Sequence, residues 1–183
     1  HTLAAFVAGS TAFLADHAGG VPVVDVSNPA DPRVLAIIPA PSRSLTSAPL
    51  SRAEIMWATG DGKYLVAVFD KDGAVFYDVT DKVHPKMIHQ VYAVDNAVGG
   101  LDPGGYPDFP YLPLDPGKSI LWPEAVTGRD NVVYVGGYGC ILVFDISDRS
   151  APRLLASVAT TGSWSADLHL WGNLLAFAGG RNR

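Results

Sequence analysis

The 183 residues are 48% apolar and only 17% charged, a balance that builds a packed core and excludes a disordered chain. The net charge of −5 comes from interspersed acids and bases, so there is no basic stripe for nucleic acid, and no apolar run nears the roughly 18 residues of a membrane span. Nineteen Gly, 14 Pro and a single cysteine, Cys140, predict many short strands and tight turns with no internal disulfide.

In chain order, TLAAFVAGS (2–10) reads as a strand. TAFLADHAGGVPVV (11–24) reads as two apolar strands around a Gly-containing turn, that is, a hairpin. Asp25 opens DVSNPADPRVLA (25–36), which leads into a further strand, RVLAIIPA (33–40). After a Ser/Pro-rich loop (41–52) the same order returns: AEIMWATGDG, then KYLVAVFDKDGAVFY, then DVTDKVHPKMIH from Asp78. A Pro/Gly-rich insertion (95–121) precedes the third round, with WPEAVTGRD, NVVYVGGYGCILVF, and DISDRSAPRLLA from Asp145. SADLHLWGN and LLAFAGG begin a fourth.

The three Asp-containing segments align without a gap. Each has Asp, then Val or Ile, then Ser or Thr, and seven residues after the Asp a Pro (Pro32, Pro85, Pro152), followed by Arg or Lys. A carboxylate at the end of a strand accepts backbone N–H groups of the following turn, and Ser or Thr two residues on does the same more weakly. Pro lacks a donor and fixes φ, which suits the entry of an outer strand. Turn chemistry therefore accounts for Asp25, Asp78 and Asp145 better than catalysis does, because all three units share it.

A unit of four antiparallel strands repeated in tandem predicts an all-β fold, a β-propeller of meander blades, with about three and a half blades in this chain. The expected blades are 2–40, 53–94 and 122–161, with a half blade at 164–183. One blade cannot bury both of its faces alone, which explains apolar runs where strict alternation would otherwise be seen. A β-sandwich is the rival fold, but it has no need of one turn three times over.

The stretches GVPVVDVSNPADPRVLA, GAVFYDVTDKVHPKMI and GCILVFDISDRSAPRLLA resemble the LVIVD repeat of β-propeller proteins. The Asp-[VI]-Ser-type turn is also similar to that of the selenium-binding and methanethiol oxidase propellers. The first resemblance implies a bacterial or archaeal protein of the cell surface, periplasm or exterior, and it implies no particular activity. The chain opens on His1, so a leader or upstream segment is expected, and a cut or split propeller completed by another polypeptide is the expectation for the unfinished ring.

Few motifs of known chemistry occur. LDPGKS has Leu112 where a phosphate loop needs its first Gly; there is no G-x-S-x-G, no HExxH, no paired Cys and no calcium-loop spacing. Two groups of residues remain. The first strand of each blade lines the channel, and those strands carry Glu54, Glu124, Asp167 and His169; with His17 in a connecting loop they form a candidate metal site, the alternative being a solvated polar channel. The insertion carries Tyr106, Phe109, Tyr111 and Trp122, a candidate arm for a ligand or partner, the alternative being a packed surface loop. Three functions follow from this reading: a non-catalytic propeller that binds a partner or ligand outside the cytoplasm, a metal-dependent propeller enzyme (oxidoreductase or hydrolase), or a structural subunit of a larger complex.

Overall fold

The computed structural model describes residues 2–16, 20–41, 53–69, 72–94, 119–121, 123–137, 139–160 and 164–180. Tyr106, Phe109, Tyr111, Trp122 and His17 lie outside them. Every element among the described residues is a strand. Blade 1 holds β1 (Thr2–Ala8), β2 (Thr11–Asp16), β3 (Val21–Asp25) and β4 (Arg33–Ile38) in that spatial order. Blade 2 holds β5 (Ala53–Ala58), β6 (Tyr64–Phe69), β7 (Gly73–Asp78) and β8 (Lys86–Val94), and a fifth strand, β9 (Ser119–Leu121), joins β8. Blade 3 holds β10 (Ala125–Arg129), β11 (Val132–Gly137), β12 (Cys140–Asp145) and β13 (Arg153–Ala159). Two strands of blade 4 follow, β14 (Trp164–Trp171) and β15 (Leu174–Gly180).

The sheets stack through their first strands: β1 lies beside β5, β5 beside β10, and β10 beside β14. This radial order is that of a β-propeller. Blade 2 shows why its two middle strands are so apolar. Leu65, Ala67, Phe69, Val75 and Tyr77 belong to the core shared with blade 1, whereas Tyr64, Val66, Val68, Ala74 and Phe76 belong to the core shared with blade 3. Alternate residues face opposite neighbours, so both sides must be apolar. The second junction carries an edge-on pair, Phe76 and Phe144, with ring centroids 5.1 Å apart.

The corners repeat in three dimensions as they do in sequence. Oδ1 of Asp25, Asp78 and Asp145 accepts the N–H of Ser27, Thr80 and Ser147, each at 2.8 Å. A second cap follows at once: Asn28, Asp81 and Asp148 accept the N–H of Ala30, Val83 and Ser150. Between the two, the N–H of Val26, Val79 and Ile146 donates to the carbonyls of Ser10, Lys63 and Asn131 in the first hairpin of the same blade. Each corner thus ties the outer half of its blade to the inner half. Hydrogen bonds from Ser27, Thr80 and Ser147, hydroxyl and N–H alike, hold the carboxyls of Asp25, Asp78 and Asp145 below their usual range.

Two features go beyond the sequence reading. Each outer strand carries a bulge just after its Pro, leaving Leu35, Ile88 and Leu155 outside the pairing register; such bulges twist an edge away from foreign strands. The last three residues of the insertion are strand, not loop. β9 pairs with β8 in parallel, with Ile120 fully buried.

Between blades 2 and 3, Trp57 of β5 lies on Gly128 of β10. A Cβ added at Gly128 would stand 2.7 Å from the indole. Gly128→Ala is therefore expected to destabilise the fold by about 1–3 kcal/mol in urea unfolding, and Trp57→Leu in the same chain is expected to recover most of that loss. An unchanged midpoint for Gly128→Ala would contradict this packing.

Candidate functional site

Each blade's strands run alternately toward two ends of the stack. The Asp corners and the first hairpin turns gather at one end. The ends of β2, β4, β6, β8 and β11 and the starts of β3, β5, β7 and β12 lie at the other, the mouth of the stack.

Glu54 and Glu124 stand at this mouth in equivalent positions. Counting back from the hairpin tips, Ala8, Thr59, Arg129 and Trp171 correspond, and five residues before them stand Leu3, Glu54, Glu124 and Ala166. In blades 1, 2 and 4 that residue falls where the register slips between the first two strands. A bulge re-aims the side chain it carries, so Glu54 leaves the regular alternation of β5. Glu124 just precedes β10, with its N–H donating to the carbonyl of Gly136 at 3.1 Å. Both glutamates are half-buried. Burial, reinforced by the charge of Glu54, pushes the Glu124 carboxyl above its ordinary value. Two inner strands therefore bring the Glu54 charge to bear on a Glu124 carboxyl whose ionised form burial already disfavours.

Asp167 and His169 lie elsewhere. Leu168 packs into the core shared with blade 3, beside Ala125 and Ile141, so its neighbours along β14 project from the opposite face. Both are exposed. Their register positions match Ile55 and Trp57, not Glu54. The structure thus pairs Glu54 with Glu124 and sets Asp167 and His169 on an open sheet face. Among the described residues, no three His, Cys, Asp or Glu side chains are grouped to hold a metal ion. The Cys140 thiol is pushed up by burial, the opposite of an activated nucleophile. His84 bonds Asp81 at the far end, and His89 packs against the rings of Phe76 and Phe144.

One residue at the mouth was missed in sequence. Asp72, in the turn between β6 and β7, is buried, and the Gln90 amide donates to its carbonyl at 2.8 Å. Burial first, then the Asp72 charge, raises the Tyr77 hydroxyl. The signal available was the Asp72–Gly73 pair at the start of β7, which reads as an ordinary turn.

The LVIVD repeat model matches residues 5–37 and 126–160, in blades 1 and 3, so the chain carries that repeat. Among curated proteins none matches it. Among solved structures it is similar to Sqt1 of Chaetomium thermophilum, with a TM-score of 0.54 at 19% identity, covering 93% of this chain and 38% of Sqt1. It is likewise similar to Chaetomium thermophilum Sqt1 bound to the N-terminus of the ribosomal protein L10, with a TM-score of 0.53 at 21% identity, covering 93% and 40%. The likeness is one of fold, and the chain spans about two fifths of the length of those structures. Among the described residues no helix is long and apolar enough to cross a membrane.

Because the fold holds the Glu124 proton more tightly than the unfolded chain does, stability falls as pH rises from the ordinary glutamate value through the raised one. Glu124→Gln removes that loss. Its advantage over the parent should grow across this interval and level off above it in unfolding measured from pH 4 to 8, and Glu54→Gln should narrow the interval.

Proposed function

We propose that the chain is part of a non-catalytic β-propeller that binds a polypeptide partner at the mouth carrying Glu54 and Glu124, outside the cytoplasm, with further polypeptide covering its open sheet faces. One observation carries the reading: two adjacent blades place a glutamate at the same position of the innermost strand, at the mouth end of the stack. Half-buried carboxylates that repel one another gain most from an incoming cation, so the favoured partner is a segment bearing Lys, Arg or a free N-terminus. The Sqt1 complex supports the choice of a polypeptide, since there a protein of similar fold holds the N-terminus of another protein. The location rests on the resemblance of the repeat to exported proteins, and fractionation of cells expressing the native gene tests it.

Selection from a random displayed peptide library against the 183-residue chain tests the binding reading. The expected peptides carry basic groups, bind more weakly as salt is raised, and lose about tenfold or more in affinity when Glu54→Gln and Glu124→Gln are combined. Selected peptides that bind the double variant equally well would overturn the assignment of this mouth.

A further inference from the structure

Glu54 and Glu124 take the same place in adjacent blades, but the chain reaches them differently. The ladder of β5 with β6 runs on both sides of Glu54, with Ala53 opposite Phe69 and Ile55 opposite Val68. The ladder of β10 with β11 begins only after Glu124, with Ala125 opposite Gly136. Just before Glu124 the chain is held by blade 2. There β9 runs parallel to β8, with Ser119 opposite Tyr92, Ile120 opposite Ala93 and Leu121 opposite Val94.

One side chain fastens this segment. Ile120 is fully buried and enters the core of blades 2 and 3, together with Val91 of β8 and Val126 of β10. β8 has room for β9 because its pairing with β7 stops at Val91 while the strand itself continues to Val94. Full burial of an isoleucine side chain outweighs any one main-chain bond of so short a ladder. Glu124 follows four residues later, within about 14 Å of extended chain. Buried Pro123 fixes φ immediately before it, and the Glu124 N–H bonds the Gly136 carbonyl. The glutamate is thus strung between an anchor on blade 2 and the first rung of blade 3.

We infer that Ile120 is a positioning residue for the acidic pair: its burial pins β9 on β8 and thereby holds Glu124 half-buried at the mouth, in line with Glu54. Both glutamates then take their places from blade 2, Glu54 through β5 and Glu124 through β8 and β9. A carboxylate released into water is solvated on all sides and gains less from an incoming cation. The inference deepens the reading of the mouth as a binding site and rests on it. It adds a residue too buried to touch a partner itself.

The test uses the full 183-residue chain. The Glu124 carboxyl is titrated by carbon NMR in the parent, Ile120→Ala, Ile120→Val and Val66→Ala, the last at a fully buried position of the same core on β6. Both alanine variants are expected to unfold at lower urea. Only Ile120→Ala is expected to bring the Glu124 titration down toward the ordinary glutamate value, with Ile120→Val close to the parent. Tyr92→Pro, at an exposed position of β8 opposite Ser119, disturbs the same ladder without opening the core and is expected to act in the same direction. Should Ile120→Ala not fold, Tyr92→Pro decides. A basic peptide selected on the parent is expected to bind Ile120→Ala about fivefold more weakly. A Glu124 titration that stays put in both Ile120→Ala and Tyr92→Pro, or that moves equally in Val66→Ala, would overturn the inference. Peptides indifferent to Glu54→Gln with Glu124→Gln would sink the mouth as a binding site, whereas the titration would still decide what holds Glu124.

Discussion

A four-stranded sheet with two apolar faces cannot exist alone in water, and this constraint organises the whole molecule. The two middle strands of blade 2, β6 and β7, have almost no polar residue to offer solvent, because every second side chain enters the core shared with blade 1 and the others enter the core shared with blade 3. At roughly 25 cal/mol per Å² of apolar surface removed from water, such two-sided burial outweighs any single hydrogen bond in the fold. The stack therefore sets where the inner strands lie, and the inner strands set what meets at the mouth.

The Asp corners serve this stack from its far end. Their hydrogen bonds are exposed and individually modest, but each corner locks the outer hairpin of a blade to the inner one through the N–H of the following Val or Ile. A neighbouring contact joins blade to blade. Arg149, in the corner of blade 3, bonds Asp61 in the first turn of blade 2 at 3.0 Å. Burial opposes ionisation of Asp61, yet hydrogen bonds from Thr59, Lys63 and Arg149 prevail and bring its carboxyl down to about 2. One end of the stack is thus occupied with holding the blades in register. The glutamate pair and the buried Asp72 lie at the other.

The blades were legible in the sequence because turn chemistry is local: Asp, Ser or Thr, and Pro act within a few residues of one another, and three copies multiply the signal. β9 was not legible, since a three-residue parallel strand depends on the distant edge of β8 and leaves no periodicity of its own. The bulges were hidden for the same reason, because a bulge is a property of a pair of strands. The equivalence of Glu54 and Glu124 could have been found by counting back from the hairpin tips. It was obscured by the longer tip of blade 2, where Gly60–Lys63 replaces the two-residue turns of blades 1 and 3. In the structure Leu168 enters the core beside Ala125 and Ile141, which sets Asp167 and His169 on the other side of β14.

The stacking of blade 3 on blade 2 is tested most directly by the proton resonances of Gly128. If the sheets stack radially, the indole of Trp57 lies on the Gly128 backbone. The Gly128 α-protons should then be shifted upfield by the ring current and should show nuclear Overhauser contacts to the indole, accompanied by contacts between the rings of Phe76 and Phe144. Ordinary Gly128 shifts, with contacts placing β10–β13 against β1–β4 in place of β5–β8, would describe a closed sandwich and contradict the account.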